Sequence, residues 1–203
     1  MRSPSLGRWF EEAFRRQGAK TAVTFYRQGR LETEISYREL DRDAHRMAHI
    51  LRAQGVEKGD RVVLFLPKSL VFVTAHLALQ KLGALAVPLN PGFKRSEMAY
   101  FLEDARPRLA ICGPEQAEMI RDINPGQAVL RVDTVTPYQE LELFRSAPDQ
   151  AEAVDLSPDD PGLVIYTSGT TGKPKGAVLT QRNLVHDAAN IIRIWEISEK
   201  DVL

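Results

Sequence analysis

Cysteine is almost absent from this 203-residue sequence, in which Cys112 is the single cysteine. One cysteine excludes an internal disulfide framework and is typical of a protein in a reducing compartment. Net charge is absent too, because 27 Lys and Arg residues balance 27 Asp and Glu residues. Without an excess of basic charge, the composition does not indicate a nucleic-acid partner or an anionic membrane surface.

Long hydrophobic runs are also missing. The most apolar region, RVVLFLPKSLVFVTAHLALQKLGALAVPL, is interrupted at residues 67–69 and again at Gln80 and Lys81. It therefore falls short of the roughly 20 apolar residues that a membrane-spanning helix needs. Near the N-terminus, Glu11 and Glu12 stand where the apolar part of a secretory signal would have to continue. We expect a cytoplasmic protein with no integral membrane segment.

What the sequence does contain is an alternation of helical and strand patterns. Ser36, with Glu39 three residues later, is a capping-box signal for a helix that ends near Gly55. The segments that follow alternate between strand and helix: RVVLFLP, KSLVFVTAHLALQKLG (ending at Gly83), ALAVPL, SEMAYFLEDA (with Ser96 as the expected N-cap), RLAIC, residues 115–122 and AVLRVD. This alternation predicts an α/β fold with a largely parallel layered sheet and flanking helices.

The two ends of the chain follow other patterns. Apolar residues at helical spacing predict an amphipathic first helix that ends at Gly18, and the next two strand patterns predict a hairpin with Gly29 in its turn. Residues 134–161 read as a connection with one short helix around residues 138–144. After this connection we expect the strands LVIY and KGAVLT, followed by a helix from about Asn183.

The stretch YTSGTTGKPKG, residues 166–176, has a composition that no hydrophobic core requires. Glycines permit positive φ and the close approach of a ligand to the main chain, and successive backbone amides can form a nest for anionic oxygen. Hydroxyl groups add donors, and lysines add positive charge. Pro174 stiffens the segment of residues 173–175, which carries both lysines and is called the lysine arm below. We predict a polyphosphate-binding loop made of Gly169, Gly172, Gly176, Thr167, Ser168, Thr170, Thr171, Lys173 and Lys175.

A P-loop NTPase is the first alternative for this loop, and the spacing excludes it. That motif has two glycines five positions apart, followed directly by Lys and then Ser or Thr. Gly169 would need a glycine at position 174, where Pro174 stands. The segment after the loop also has the pattern of a strand and not of a helix N-terminus.

YTSGTTGKPKGAVLTQRNL resembles the phosphate-loop signature of the adenylate-forming enzymes: acyl-CoA synthetases, adenylation domains of peptide synthetases and beetle luciferases. Three further stretches resemble the family in the same order: ISYRELD with LRAQGVEKGDRVVLFLPKS, LQKLGALAVPLNP, and LEDARPRLAIC. The resemblance covers nearly the whole chain. VPLNPGFKRSEMAYFLEDARPRLAIC and IIRIWEISEKDVL look somewhat like the malonyl-CoA synthetase branch, with fatty-acid and aryl-acid branches as open alternatives.

The resemblance implies a ligase that joins a carboxylic acid to AMP from ATP, releases pyrophosphate, and passes the acyl group to a thiol such as coenzyme A. It implies ATP, Mg²⁺ and coenzyme A as ligands and a small-molecule carboxylic acid as substrate. The β- and γ-phosphates would be bound by the loop residues Thr167, Ser168, Gly169, Thr170, Thr171, Gly172 and Lys175, with Mg²⁺ near Thr167. Lys175 would position phosphate, and no residue of this chain is expected to act as a catalyst.

Family members are much longer than this chain. The resemblance implies that residues 1–203 are the N-terminal portion of the large domain, without the rest of that domain or the small C-terminal domain. We therefore expect a piece that is inactive alone and that exposes a sheet edge and an apolar surface through which it could associate. The alternatives are a stand-alone nucleotide- or phosphate-binding module and an interaction fragment whose loop is vestigial.

Other reactive residues have simpler interpretations. Cys112 ends a buried strand and is expected to be a core side chain. His45 and His49 have metal-ligand spacing on a helix but lack identifiable partner ligands, so we interpret them as part of a solvated helix face. His186 is expected to be packed or solvated. Many acyl-CoA synthetases have His where this chain has Gln181, a position that we expect to cap the following helix.

Overall fold

The computed structural model describes residues 5–144, 147–151, 154–168 and 172–202. Its helices are α1 Leu6–Gln17, α2 Tyr37–Ala53, α3 Leu70–Leu82, α4 Arg95–Ala105, α5 Pro114–Ile123 and α6 Gln181–Ile194. Its strands are β1 Thr21–Arg27, β2 Arg30–Ser36, β3 Arg61–Phe65, β4 Leu85–Pro88, β5 Leu109–Cys112, β6 Val129–Arg131, β7 Pro161–Thr167 and β8 Lys175–Thr180.

Six of these strands form one sheet in the order β6-β5-β3-β4-β7-β8. The neighbours from β6 to β7 are parallel, and β8 runs antiparallel to β7 at one edge. The strands β1 and β2 make a separate antiparallel hairpin with Gly29 at φ 77° in its turn. The predicted α/β class, with a largely parallel sheet and flanking helices, is confirmed.

Helices cover both faces of the sheet. Along β3, Val62 and Leu64 face a core shared with α1, α2 and α3, whereas Val63 and Phe65 face a second core shared with α4 and α5. All four of these side chains are completely buried. The continuous apolar pattern of β3 thus matches its position in the sheet, where helices cover both faces.

Local capping signals placed most helix ends correctly. Ser36 and Glu39 form the expected capping box, and Gly83 ends α3 at φ 69°. The expectation of Ser96 as an N-cap is wrong, because the carboxylate of Glu97 accepts a hydrogen bond from the backbone N–H of Lys94 at 2.8 Å and α4 begins at Arg95. Gln181 is not a cap either, because the Thr180 side chain caps α6.

The connection between β6 and β7 crosses the face that carries α2 and α3. In place of the single short helix that we expected, it contains two 3₁₀ turns, Tyr138–Glu140 and Glu142–Phe144. Tyr138 and Phe144 are buried in the first core. Within the part of the chain that the structure describes, no helix is long and apolar enough to cross a membrane.

Candidate phosphate-binding site

The glycine-rich loop leaves the carboxyl end of β7, next to the point where the chain changes direction across the sheet. From β4 the chain continues to β5, on the far side of β3, whereas β7 continues to β8 on the opposite side. In open α/β sheets, ligands bind in the crevice between two neighbouring strands whose following connections run to opposite sides, as those after β4 and β7 do. The topology therefore places the loop where a binding site is expected.

The base of the loop is a strand pair that brings two predicted phosphate ligands together. Thr167, the last residue of β7, lies directly opposite Lys175, the first residue of β8. Residues opposite each other in an antiparallel pair project from the same face. Both residues are exposed, as is Ser168. A hydroxyl donor and a positive charge therefore flank the mouth of the loop.

Glycine has distinct roles at two positions here. Gly172 has φ 90°, in the left-handed region that favours glycine over other residues. At Gly176 the backbone is ordinary, but an added Cβ would lie 3.3 Å from Cε1 of Tyr166 and 3.1 Å from Cγ1 of Val164. Gly176 thus leaves room for the Tyr166 ring. The predicted ligands Gly169, Thr170 and Thr171 lie outside the described residues.

Helix α4 contacts the loop from the side. The hydroxyl of Tyr100 donates a hydrogen bond to the carbonyl oxygen of Pro174 at 2.6 Å, and Nζ of Lys173 lies 5.7 Å from the centre of the Tyr100 ring. Tyr166 packs edge-on against Phe101, with ring centres 4.7 Å apart. Between α4 and the loop is a cleft of about 650 Å³, lined by Phe93, Ser96, Glu97, Ala99, Tyr100, Phe101, Glu103, Tyr166, Thr167, Ser168, Lys173 and Pro174.

A second hydrogen bond joins α4 to the strand that precedes the loop. The Tyr166 hydroxyl donates to Oδ2 of Asp104 at 2.6 Å. Burial of the ring and this carboxylate raise the pKa of Tyr166 above its ordinary value. Tyr166 is therefore a neutral donor at physiological pH and holds the end of β7 to the helix. Sequence patterns gave no signal for this contact.

The remaining candidate residues lie away from the loop. Cys112 is completely buried, and burial raises the pKa of its thiol to about 11, so its core role is confirmed. His45 is not on a solvated face: Nδ1 accepts from the backbone N–H of Ala151 at 3.1 Å, and Nζ of Lys81 lies 3.2 Å from Nε2. Burial and the Lys81 charge lower the pKa of His45. His186 is exposed.

His45 and His49 lie four residues apart on α2, which is metal-ligand spacing on a helix. Neither His45 with His49 nor any other group of three or more His, Cys, Asp or Glu residues in the described ranges has a metal-binding arrangement.

A chain of buried glutamine side chains was not predicted from the sequence. Nε2 of Gln181 donates to Oε1 of Gln80 at 3.0 Å, and Nε2 of Gln80 donates to the carbonyl oxygen of Gly162 at 2.9 Å. Oε1 of Gln181 accepts from the backbone N–H of Leu6 at 3.1 Å. This glutamine bridge joins the first turn of α1 to α3, β7 and α6.

Comparison with known proteins identifies relatives along almost the whole chain. Residues 10–203 match the model of a family described as AMP-binding enzyme. Surfactin synthase subunit 3 of Bacillus subtilis (strain 168) is 35% identical over 176 residues, which are 87% of this chain and 13% of that protein. Feruloyl-CoA synthase of Amycolatopsis sp is 36% identical over 192 residues, 95% of this chain and 36% of that protein.

Among solved structures, ATP-bound MatB from Rhodopseudomonas palustris superposes with a TM-score of 0.75 at 32% identity. The match covers 83% of this chain and 34% of MatB. The chain thus spans 36% or less of the length of each of these three proteins.

Proposed function

Because the chain belongs to the AMP-binding enzyme family, we propose that it supplies the phosphate-binding loop of an AMP-forming acyl-CoA ligase. In that reaction a carboxylate oxygen attacks the α-phosphorus of ATP, the bond to the bridging oxygen breaks, and pyrophosphate leaves. The acyl group of the resulting acyl-adenylate then passes to the thiol of coenzyme A and releases AMP. Ligases that include feruloyl-CoA synthase are among the relatives of this chain.

The observation that carries the proposal is the pairing of Thr167 with Lys175 at the mouth of a glycine-rich loop. The leaving pyrophosphate is a polyanion, and its formation is favoured by donors and positive charge fixed beforehand around it. The loop offers the Thr167 and Ser168 hydroxyls, backbone amides near Gly172, and the Lys175 ammonium. The predicted ligands Gly169, Thr170 and Thr171 belong to the same proposed site. All of these residues bind and orient; none forms a covalent bond.

The donor chemistry of the loop fits a magnesium ion that arrives with ATP. The Thr167 side chain is exposed at the end of β7 and offers the hydroxyl oxygen that we assign to this ion. Oxygen ligands of this kind suit Mg²⁺, so the Thr167 hydroxyl would hold the ion together with oxygen atoms of the bound phosphate. When bound, the ion neutralises charge on the phosphates, while Lys175 neutralises charge from the protein side.

We assign residues 1–203 to the N-terminal portion of the large domain of the ligase. The spans matched in the relatives support this assignment, since the chain covers 36% of feruloyl-CoA synthase and 34% of MatB. The groups that recognise adenine, ribose and the acid would then come from other parts of the protein. Alone, residues 1–203 are expected to bind polyphosphate without turning over a carboxylic acid substrate.

Binding of inorganic pyrophosphate and of ATP to the chain, each with Mg²⁺, tests the proposal by calorimetry. Lys175→Ala should weaken pyrophosphate binding about tenfold, because a charge-assisted hydrogen bond contributes roughly 1.5–3 kcal/mol. Lys200→Ala, which removes another exposed lysine outside the loop, should leave binding unchanged. Wild-type protein that binds no pyrophosphate, or equal affinity in both variants, would contradict the proposed loop function.

The complete reaction requires a second measurement on a longer protein that contains this segment. Pyrophosphate release is followed with ATP, Mg²⁺, coenzyme A and a panel that includes malonate, a long-chain fatty acid and an aryl acid. We expect release with one class of acid, and lower release after Lys175→Ala. Turnover by residues 1–203 alone would refute the division of roles proposed above, and tight ATP binding without turnover in the longer protein would favour a stand-alone nucleotide-binding module.

A further inference from the structure

We propose that Tyr100 is a positioning residue that fixes the lysine arm of the loop before any phosphate binds. The inference rests on the proposed polyphosphate role of Lys175, and its central contact joins α4 to the loop. That contact is the 2.6 Å hydrogen bond from the Tyr100 hydroxyl to the carbonyl oxygen of Pro174.

The carbonyl that Tyr100 holds belongs to the peptide unit that joins Pro174 to Lys175. A peptide unit is planar, so a hydrogen bond to its oxygen also orients its N–H and the following Cα. The ring of Pro174 also fixes φ of Pro174, which is the rotation about its own N–Cα bond. Together, the proline ring and the Tyr100 hydrogen bond restrict the backbone from which the Lys175 side chain extends.

The two lysines of the loop have different surroundings, and Tyr100 contacts only one of them. Nζ of Lys173 lies 5.7 Å from the centre of the Tyr100 ring, within range of a cation–π contact. Lys175 instead lies opposite Thr167 in the strand pair. We infer that Lys173 helps to clamp the loop to α4, whereas Lys175 is the lysine presented to phosphate.

Helix α4 is a rigid support for this contact. Met98, Phe101 and Leu102 bury one face of the helix in the second core. The Tyr100 ring packs edge-on against Phe101 with ring centres 5.5 Å apart. Because the Tyr100 side chain is already held by this packing, it loses little conformational entropy when its hydroxyl binds the loop. A loop that is already ordered in turn loses less conformational entropy when a ligand binds.

Tyr100→Phe removes only the hydroxyl and keeps the ring under Lys173. Tyr26→Phe is the control, because it makes the same chemical change at an exposed tyrosine of the β1–β2 hairpin, outside the loop and its cleft. Thermal unfolding of both variants checks that the fold is intact.

Two readouts without ligand report on the lysine arm. One is hydrogen exchange of the backbone amides at positions 173, 175 and 176; the other is tryptic cleavage after Lys175, since the Lys173–Pro174 bond resists trypsin. In Tyr100→Phe we expect both rates to rise about fivefold, corresponding to loss of a net hydrogen-bond contribution of about 1 kcal/mol. In Tyr26→Phe both rates should remain within about twofold of wild type. Equal rates in Tyr100→Phe and wild type would overturn the proposal.

Pyrophosphate affinity then separates this inference from the proposed function. Tyr100→Phe should bind Mg²⁺–pyrophosphate about fivefold more weakly than wild type. Unchanged affinity in Tyr100→Phe, with wild type binding normally, would overturn the positioning role and leave the proposed function intact. Absence of pyrophosphate binding in wild type would refute the proposed function, and the exchange and cleavage rates would still decide whether Tyr100 holds the loop.

Discussion

The side chains of Gln80 and Gln181 form a hydrogen bond of 3.0 Å inside the protein, although 101 positions separate them in the sequence. Both residues are completely buried. Each also binds a backbone group, Gly162 in one case and Leu6 in the other. A buried polar side chain is stabilising only while its hydrogen bonds are satisfied, so this pair is sensitive to substitution.

Gln181→Leu should lower the free energy of unfolding by about 2–4 kcal/mol, because it leaves two buried groups without partners at roughly 1–3 kcal/mol each. Those groups are the N–H of Leu6 and Oε1 of Gln80. Gln80→Leu should cost a similar amount, and the double variant should cost less than the sum because both single changes break the same central bond. Urea denaturation of the three variants measures this coupling; strictly additive costs would show that the two side chains act independently.

Gly162→Ala should destabilise the protein by about 1–3 kcal/mol through overpacking. A Cβ at this position would lie 2.5 Å from Nε2 of Gln181 and 3.1 Å from Oε1 of Gln80, so the glutamine bridge would have to move. Gly126→Ala is the control, since the nearest atom to its Cβ, Oδ1 of Asn124, would be 3.6 Å away. The comparison is made by thermal unfolding. Similar melting temperatures for the two variants would argue against close packing over Gly162.

Glu32→Gln should reduce stability at neutral pH and not in acid. The hydrogen bond and charge of Arg27 hold the pKa of Glu32 below its ordinary value of 4.5. A carboxylate with a lowered folded pKa adds stability above its unfolded pKa, and this stability is lost as the pH falls through the folded pKa. We expect a cost on the order of 1 kcal/mol at pH 7.

The pH dependence is measured by urea denaturation of wild type and variant between pH 7 and pH 3. The difference between the two curves should shrink as the pH falls below 4.5. Glu34→Gln, on the exposed face of the same strand, should shift stability by less than about 0.5 kcal/mol at each pH. If the difference in free energy of unfolding between wild type and Glu32→Gln stays constant down to pH 3, the carboxylate charge is not involved.

Replacing Ile194 and Trp195 by Ser should reduce self-association of the chain. Both side chains are about two-thirds exposed at the end of α6, next to the partly exposed Ile191 and Ile192. Contiguous apolar surface of this kind favours association. Sedimentation at increasing concentration should show larger species for wild type and fewer for the double variant. Leu31→Ser, at an exposed apolar residue of the hairpin, should leave the distribution unchanged; equal association in the double variant would contradict the prediction.

Local sequence signals predicted the elements of this fold well. The capping box at Ser36 and Glu39 and the left-handed glycine Gly83 act within one turn of their own helix, so their effect can be read from neighbouring residues. Ser96 is not the cap because the Glu97 carboxylate accepts from the backbone N–H of Lys94, and the helix begins one residue before Ser96. Two alternative signals within three residues cannot be ranked by pattern alone.

The contacts that position the candidate site could not be predicted from local sequence patterns. The composition of residues 166–176 indicated the loop, yet the hydrogen bond between Tyr100 and Pro174 joins positions 74 apart. His45 was misinterpreted for the same reason, because its partner Ala151 lies 106 positions away, in the connection between β6 and β7. Such pairs depend on how the sheet is wound, which the local spacing of residues does not contain.

The bond between Leu6 and Gln181 also constrains the order in which the protein can form. During synthesis, α1 leaves the ribosome long before the residue that accepts its first backbone N–H, 175 positions later. Gln17 of α1 likewise donates to Glu199, at 3.0 Å and 182 positions away. The apolar face of α1 can pack on α2 and α3 as soon as these have been made, because Phe14 lies in their shared core. The two bonds to the α6 end of the chain can form only after that segment has been synthesised, so we expect the ends of α1 to be fixed later than its middle.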